Sequence, residues 1–380
     1  MKVGITCYPT YGGSGIVATE LGLELAARGH EVHFITYANP IRLDTALPRI
    51  HSHEVEVSTY PLFQFPPYCL ALASRMAEVA ERYSLDLLHV HYAIPHSISA
   101  LLARSMLAVE RRLPFVTTLH GTDITLVGRE RSYFPITKFS IDQSDGVTAI
   151  SEYLRAKTVE VFGTSNEIRV IRNFVNCDLY KPAPETRRGN PYTPHGEKVL
   201  VHISNFRPVK RTQDCIRILE AVRKNVAAHL LMIGDGPERG PAESLARELG
   251  LESHVTFLGK QDHIERLLPL ADVLLLPSQL ESFGLAALEG MACGVPAVAT
   301  RVGGVSELIT DGVDGFLGTP GDVAGQAAKV TVLLSDESLC SRLSQAARST
   351  AVERFCTTHV IPLYERYYQE ICRLQPTLRS

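Results

Sequence analysis

A chain of 380 residues with 45% hydrophobic residues is too long for one ordinary core and suits two α/β domains. The formal net charge of −3 argues against broad electrostatic attraction to nucleic acid or to a membrane. No apolar run is long enough to span a bilayer and no signal-peptide layout begins the chain, so we expect a cytoplasmic protein. The eight cysteines are scattered without a Cys-x-x-Cys pair, which predicts reduced thiols rather than disulfides or a zinc site.

Strand-like runs alternate with helical runs in the first half, a pattern typical of a parallel sheet covered on both faces. Gly29 follows the first predicted helix as a C′ residue, where the left-handed conformation favours glycine. The predicted strands are 3–7, 32–36, 87–91, 115–119, 147–150 and 168–171, and the predicted helices are 15–28, one within 68–83 and one within 97–112.

The alternation stops at residues 176–196, which are rich in proline, glycine and charge and are predicted to form an interdomain linker. It then restarts, so the second half is predicted to form another α/β domain. Two or three helices are predicted from Asp322 onward. The predicted strands are 199–203, 230–233, 255–258, 273–276 and 297–299, with one helix from about 211 and another that ends at 249.

The first strand leads into a glycine-rich loop, residues 11–15, that precedes a helix. Glycines let the backbone approach a phosphate, and the helix N-terminus favours an anion. The spacing Gly13-x-Gly15-x-x-Ala18 also matches the dinucleotide fingerprint, so an NAD-dependent oxidoreductase is an alternative. That fingerprint expects an acidic residue at the end of the second strand, and none follows Thr36 directly, which weakens this alternative.

Polar side chains follow two further strands of the first half. His89 and His91 share one face of a strand, and without a third ligand at recognisable spacing they are interpreted as buried, hydrogen-bonded histidines. Tyr92, His120 and Thr122 stand at strand ends, where ligands of such sheets bind. The alternatives are a packing role for Tyr92 and, for the second loop, capping by Asp123 with an incidental His120.

Cations occur in two kinds of surroundings. Lys138 and Arg172 are isolated and, taken alone, are interpreted as surface charges. Arg207, Lys210 and Arg211 lie between a strand and a helix, where the helix dipole disfavours cations unless an anion is present. This cluster therefore predicts a phosphate site.

The stretch from Glu281 to Glu289 follows a buried strand and enters a helix for which Ser282 is a good N-cap. The N–H groups of Gly284 and Leu285 would then lie at the positive end of that helix, where phosphate binds. One carboxylate on each side of a diphosphate is an arrangement suited to a nucleotide sugar. The alternative is an ordinary helix with two solvated glutamates.

Taken together, these segments resemble the retaining glycosyltransferases with two Rossmann-like domains (GT-B), a family that includes sucrose synthases and bacterial mannosyltransferases. The resemblance implies an α/β protein with two facing Rossmann-like domains and an interdomain cleft. Its motifs are the loop 12–14, His120, the basic loop 207–211 and the Glu281/Glu289 pair. Five strings, at 4–9, 30–36, 89–96, 119–124 and 202–207, resemble the bacterial enzymes that join N-acetylglucosamine to L-malate in bacillithiol biosynthesis.

This resemblance implies transfer of N-acetylglucosamine from UDP-N-acetylglucosamine to the hydroxyl of L-malate, with the α configuration retained. It implies no cofactor, and the lack of an Asp-x-Asp dyad favours protein cations over a metal ion at the diphosphate. No nucleic-acid or membrane partner is expected, and a homo-oligomer is left open. The implied parts are an acceptor-binding domain at 1–170, a linker at 171–196, a nucleotide-sugar-binding domain at 197–355 and a C-terminal helix at 356–380 that crosses back to the first domain.

By position, the resemblance places Glu289 on the ribose, Glu281 on the sugar hydroxyls and His120 near the reacting carbon. Many relatives carry arginine where Asn205 stands here, and Arg207 is the candidate replacement. The two carboxylates of malate need cationic or hydroxyl partners, for which five acceptor candidates are available. The expected site is catalytic His120, Lys210 and Glu281; donor-binding Gly13, Arg207, Arg211, Lys260, Phe283, Gly284, Leu285 and Glu289; and acceptor-binding Ser14, Tyr92, Thr122, Lys138 and Arg172.

Three alternatives to this function stay open at this point. A related transferase could use an inositol phosphate or a lipid-linked sugar, although no convincing basic amphipathic segment favours a lipid acceptor. An NAD-dependent oxidoreductase would bind its cofactor instead of UDP. A non-catalytic UDP-sugar sensor would bind the donor without releasing UDP.

Overall fold

The computed structural model describes residues 1–58, 61–108, 111, 113–183 and 190–374. The chain divides into two compact units, one made of Met1–Arg172 with Val360–Ser380 and the other of Asn173–His359. Three parts of the predicted elements lie outside the described residues: the segment 184–189 of the linker, residues 109, 110 and 112 of the third helix, and the segment 375–380 of the C-terminal helix.

The first unit contains a parallel sheet of seven strands. The strands are β1 (Lys2–Thr6), β2 (Glu31–Thr36), β3 (Ile50–Glu54), β4 (Leu87–His91), β5 (Phe115–Leu119), β6 (Gly146–Ala149) and β7 (Ile168–Val170). Their order is β3-β2-β1-β4-β5-β6-β7. The prediction missed β3, because its sequence Ile-His-Ser-His-Glu carries no apolar run and its strand form depends on pairing with β2.

The helices of this unit cover the sheet. They are α1 (Gly13–Ala27), α2 (Tyr68–Tyr83), α3 (Ile98–Met106), α4 (Thr122–Thr125), α5 (Phe134–Asp142) and α6 (Glu152–Phe162). The bounds of α2 were predicted correctly, and Gly29 has the left-handed φ of 96° expected after α1. Tyr364 and Tyr368, in the part of the final helix that belongs to this unit, are buried beside the ring of His89.

The second unit contains a parallel sheet of six strands. The strands are β8 (Lys198–Ile203), β9 (Ala228–Ile233), β10 (Val255–Gly259), β11 (Val273–Leu276), β12 (Ala297–Thr300) and β13 (Gly315–Gly318), in the order β10-β9-β8-β11-β12-β13. The helices of this unit are α7 (Thr212–Arg223), α8 (Arg239–Glu248), α9 (Ile264–Leu267), α10 (Leu285–Ala292), α11 (Val305–Leu308), α12 (Val323–Ser335) and α13 (Glu337–Phe355). The final helix, α14 (Thr357–Arg373), begins in this unit and belongs to the first unit from Val360 onward. The prediction missed β13, a short strand that begins and ends with glycine.

In each sheet, successive strands are added first toward one edge and then, from one point onward, toward the other edge. The order runs outward from β1 to β3 on one side and from β4 to β7 on the other, and β8 and β11 are the corresponding pair in the second unit. Ligands of such sheets bind beyond the carboxyl ends of the strands at this switch point. We call the loops that follow β1 to β7 the first edge and the loops that follow β8 to β13 the second edge.

Within the described ranges, no helix combines the length and apolar composition that a membrane span requires.

Candidate active site

The glycine-rich loop at the first edge has one position that only glycine can occupy. A Cβ on Gly15 would lie 2.5 Å from the carbonyl oxygen of Tyr8, so a side chain would force the start of α1 away from β1. Gly12 is the extended N-cap of α1 and provides no side-chain cap. The predicted donor contact Gly13 and acceptor contact Ser14 are therefore the first two residues of α1, at its positive end.

Buried histidines join the ends of β4 and β5. The Nδ1 atom of His91 lies 2.8 Å from Nε2 of His120, and both side chains are almost fully buried. His89 hydrogen-bonds through Nδ1 to the hydroxyl of Tyr368 and through Nε2 to Thr118, each at 2.6 Å. The interpretation of His89 and His91 as buried, hydrogen-bonded histidines is confirmed. His91 also fixes the ring of the predicted catalytic His120.

Burial keeps these imidazoles neutral. It lowers the pKa of His89 and His120 to about 3 and that of His96 to about 4, because a charged ring would lose its hydration. Burial also holds the pKa of His91 well below its ordinary value. At neutral pH, His120 can therefore supply a hydrogen bond from a neutral ring but not a positive charge.

These lowered pKa values predict that acid destabilises the fold. Between about pH 6.5 and pH 4, His89, His96 and His120 take up protons on unfolding but stay neutral in the folded state, so their stabilising contribution is present above pH 6.5 and declines below it. Each of these histidines should lower the free energy of unfolding by about 1.3 kcal/mol when the pH falls from 7.5 to 5.5. Urea unfolding at both pH values measures this loss, and equal free energies of unfolding would contradict neutral burial.

Asp123 ties two loops of the first edge together. Its carboxylate accepts hydrogen bonds from the backbone N–H groups of Gly121 at 2.9 Å and Ala93 at 3.0 Å. Burial raises the pKa of Asp123 to about 6, against the opposing effect of these hydrogen bonds. Asp123 therefore caps this loop, and its carboxylate also accepts the backbone N–H of His120 at 3.3 Å, while the ring of His120 contacts His91.

Tyr92 lies next to His120 at the same edge. It has a left-handed φ of 91° directly after β4, and its N–H donates to the carbonyl of Thr118 at 2.9 Å. The ring centroids of Tyr92 and His120 are 5.4 Å apart. Thr122 begins α4, two residues after His120. Three predicted residues are therefore brought together after the neighbouring strands β4 and β5.

Lys138 and Arg172 occupy different ends of the first sheet. The ammonium group of Lys138 pairs with Asp142 at 2.7 Å and donates to the carbonyl of Gly163 at 3.3 Å. Asp142 ends α5 and Gly163 follows α6, so both lie where the next strand begins, opposite the first edge. This geometry does not support Lys138 as an acceptor contact. Arg172 follows β7 at the first edge and is half-buried.

An ion pair lies at the switch point of the second unit. Nζ of Lys210, after β8, is 2.5 Å from Oε1 of Glu281, after β11. The hydroxyl of Ser278 donates to the same oxygen at 2.9 Å. The two charged side chains are only 20% and 11% exposed. The fold thus brings together two predicted catalytic residues from neighbouring strands.

The basic loop was predicted to need a bound anion, but most of its cations are paired with carboxylates of the protein. Arg211, the left-handed N-cap of α7, pairs through Nε with Asp214 at 2.6 Å. Two of the three cations therefore have carboxylate partners, so the helix start does not require a bound anion to balance them. Arg207 is exposed, and its guanidinium has no ion pair among the described residues.

The helix that carries Glu289 begins later than predicted. α10 starts at Leu285, and its N-cap is Gly284 with a left-handed φ of 96°, so the prediction of Ser282 as N-cap is wrong. The first helical hydrogen bond runs from the N–H of Leu288 to the carbonyl of Gly284 at 3.1 Å. The backbone N–H groups before Leu288 therefore make no hydrogen bond within the helix, as an anion site at this terminus requires.

The other predicted donor residues lie around this helix. Glu289 is within α10 and is only 4% exposed. Phe283 is buried against Phe355, with ring centroids 5.7 Å apart, so only its backbone is available to a ligand. Lys260 is exposed and follows β10, two strands from β8 in the sheet order.

Two buried polar residues on the strands β8 and β11 or directly after them were not predicted. Ser278, which donates to Glu281, was missed in the prediction. The signal was present, because Ser278 is a polar residue that comes directly after a buried strand and Pro277. His202 was missed because it is inside β8. It hydrogen-bonds through Nδ1 to the carbonyl of Leu275 at 3.0 Å and through Nε2 to Ser204 at 2.8 Å. Burial lowers the pKa of His202 to about 4.

Comparisons with known proteins agree with this architecture. The family described as Glycosyltransferase Family 4 matches residues 11–179, and Glycosyl transferases group 1 matches residues 185–350. The chain is 48% identical over 374 residues to the N-acetyl-alpha-D-glucosaminyl L-malate synthase of Bacillus anthracis, covering 98% of each chain.

Solved structures show the same fold at lower identity. Sucrose-phosphate synthase from Thermosynechococcus elongatus has a TM-score of 0.83 at 21% identity, covering 99% of this chain and 100% of that one. Anabaena Alr3699/HepE, solved in complex with UDP-glucose, has a TM-score of 0.80 at 22% identity, covering 97% and 100%. The predicted GT-B class, with two Rossmann-like domains, is confirmed.

The glycine-rich loop was compatible with either a glycosyltransferase or an NAD-dependent oxidoreductase, and these matches decide between the two. The NAD-dependent oxidoreductase is not supported, since both families that match are glycosyltransferase families. β2 likewise ends at Thr36 without the carboxylate that the dinucleotide fingerprint expects. The two matched families and the 48% identity over nearly the whole chain show that this protein is a glycosyltransferase of the group 1 family.

Proposed function

We propose that the protein transfers N-acetylglucosamine from UDP-N-acetylglucosamine to the hydroxyl of L-malate with retention of the α configuration, the first step of bacillithiol biosynthesis. The observation that carries this proposal is the 48% identity, over 98% of both chains, to the synthase that is named for this product. The neighbour solved with UDP-glucose supports a UDP-sugar donor.

In this proposal, the second edge holds the donor. The Lys210–Glu281 pair provides a cation and an acceptor within 2.5 Å of each other, as a diphosphate beside a hydroxyl-bearing sugar requires. Lys210 is assigned to the diphosphate and Glu281 to the sugar hydroxyls. Glu289 is assigned to the ribose, and the amides at Gly284 and Leu285 to phosphate oxygens. Exposed Arg207 is the arginine with most freedom to turn toward the donor, since Arg211 is paired with Asp214.

The remaining donor assignments have less support from local contacts. Lys260 and the backbone of Phe283 lie at the second edge, and Gly13 is assigned to the diphosphate by resemblance alone. Protein cations stabilise the leaving group in this account, and no metal ion is required.

The proposed reaction balances without a protein nucleophile. The bond between C1 of the sugar and the β-phosphate oxygen breaks, and a bond from the malate hydroxyl oxygen to C1 forms on the same face. The hydroxyl proton passes to the departing phosphate oxygen, so the products are the α-glycoside and UDP. Lys210 stabilises the charge that grows on the diphosphate. Neutral His120 hydrogen-bonds near the reacting carbon, which agrees with its lowered pKa.

The acceptor is assigned to the first edge. Ser14, Tyr92 and Thr122 follow β1, β4 and β5, which are neighbours in the sheet, and Arg172 follows β7. They supply hydroxyl groups and one cation, which suit a small dicarboxylate. Lys138 is left out of the proposed acceptor site because its ammonium group is directed to the opposite end of the sheet.

The reaction is tested with a panel of acceptors. The protein is incubated with UDP-N-acetylglucosamine and, separately, L-malate, other hydroxy acids, an inositol phosphate and a lipid-linked sugar, and mass spectrometry identifies the acceptor that gains the sugar. We expect L-malate. Transfer only to another acceptor would make the protein a related transferase, and UDP-sugar binding without UDP release would make it a sensor.

Substitutions at opposite ends of the first sheet test the acceptor site. Thr122→Val should raise the KM for malate by about 10-fold, the cost of one hydrogen bond to a charged group, and leave the KM for the UDP-sugar unchanged. Lys138→Ala should leave both values within about twofold, since its ammonium group pairs with Asp142. Steady-state kinetics with each substrate varied measures both. A rise in the malate KM only in Lys138→Ala would restore Lys138 to the acceptor site.

A further inference from the structure

Two neighbouring strands place a cluster of potential metal ligands far from the first edge. Glu31 and His33 lie two residues apart near the start of β2, on one face of the sheet. His51 of the outermost strand β3 is the register partner of His33. One ligand atom of each of the three residues lies within 4.8 Å of the other two. We call these three residues the edge triad.

We propose that the edge triad binds a divalent transition-metal ion such as Zn²⁺. Both imidazoles direct Nε2 at the same carboxylate oxygen: Oε1 of Glu31 is 3.2 Å from Nε2 of His33 and 3.5 Å from Nε2 of His51. Two imidazole nitrogens and one carboxylate oxygen form a ligand set that zinc commonly uses. The side chain of His51 is 41% exposed, so water can reach the fourth position.

An outer hydrogen bond already orients one ligand. Nδ1 of His33 lies 2.9 Å from Nε2 of His53, and the two rings are within 7° of parallel. Histidines that bind metals usually engage their other nitrogen in this way, which fixes the tautomer and the ring. His33 is fully buried, so its ring is also held by packing. A metal ion at Nε2 requires the neutral tautomer of His33 that carries its single ring proton on Nδ1, and this Nδ1–H would donate to Nε2 of His53.

Binding requires a movement of His51. Its ring stacks on that of His33, with centroids 4.6 Å apart and planes 22° apart, whereas an ion must lie in the plane of both rings. The exposure of His51 leaves its side chain room to rotate. Lys2 approaches Oε2 of Glu31 at 3.3 Å and leaves Oε1 for the ion. The bound ion would link the edge strand β3 to β2 and so stabilise the first unit.

The test uses protein without a histidine tag, stripped of metal by a chelator. Calorimetry with Zn²⁺ should detect one site per chain, and Co²⁺ should give the visible absorption of a bound ion. His51→Ala removes the exposed ligand and should lower zinc affinity by more than about 10-fold. Loss of a residue that only hydrogen-bonds a metal ligand already costs about 10-fold or more, and loss of a ligand itself should cost at least as much. Zn²⁺ should raise the melting temperature of the natural protein but not that of His51→Ala.

The matched control is His263→Ala. His263 is 69% exposed and pairs with Glu265 in the second unit, so its removal deletes a surface histidine near a carboxylate outside the edge triad. This variant should bind zinc as the natural protein does. Equal zinc affinity of His51→Ala and the natural protein, or no zinc binding by the natural protein, would overturn the proposal. Circular dichroism of each variant confirms that the comparison is between folded chains.

Discussion

Lys210→Met should lower kcat for glycosyl transfer by about 10²- to 10³-fold, the effect of removing one group that stabilises developing negative charge. Lys210 lies 2.5 Å from Glu281 at the switch point of the second unit and is the least exposed of the proposed diphosphate ligands that carry a charge. Methionine keeps the unbranched side chain up to the position of Cε and removes the charged ammonium group. Release of UDP from UDP-N-acetylglucosamine and L-malate measures the loss.

A second variant measures what the ion pair contributes to stability. Lys210→Met leaves the carboxylate of Glu281 without its cation, so Lys210→Met/Glu281→Gln should recover the thermal stability that the single variant loses. Lys224→Met is the matched control, because Lys224 is exposed at the other end of α7. Unchanged kcat in Lys210→Met, with donor binding intact, would remove Lys210 from the reaction.

Glu289→Gln should weaken UDP binding by about 10- to 100-fold, as loss of a charged hydrogen-bond acceptor costs about 1.5–3 kcal/mol. Glu289 is a carboxylate within α10 that is only 4% exposed, and glutamine keeps its size while removing its charge. Isothermal titration calorimetry with UDP measures the change. The binding of L-malate should be unaffected, since malate is assigned to the first edge.

The control for this prediction is Glu353→Gln. Glu353 is an exposed carboxylate of α13 that accepts a hydrogen bond from Ser349, and its neutralisation should leave UDP binding unchanged. If Glu289→Gln melts at the natural temperature and binds UDP with unaltered affinity, the ribose assignment is wrong.

The main strands could be predicted because fully buried parallel strands are continuous apolar runs. β4, β5 and β11 have the predicted bounds for this reason. β3 and β13 were missed because one is polar at the sheet edge and the other is bounded by glycines. Their strand form depends on pairing with a neighbour, which a local pattern does not reveal.

Candidate residues for the site could be predicted from the sequence, but their contacts could not. Rules for strand ends and helix starts pointed to His120, Lys210 and Glu281. The same rules placed a helix N-cap at Ser282, whereas the left-handed Gly284 is the N-cap of α10 and accepts its first helical hydrogen bond from Leu288, four residues later. Local preference for serine as a cap was overruled by the path of the chain after β11.

Apolar periodicity and strand-end position are local properties, so the alternation of strands and helices in two halves, and the polar residues that end the central strands, can be read from the sequence. The partners of those residues depend on the folded chain: Lys210 pairs with Glu281, His91 with His120, and Lys138 with Asp142. The first two pairs form because β8 adjoins β11 and β4 adjoins β5 in the sheets. Strand order is a long-range property, and it sets which charges meet and which imidazoles are buried.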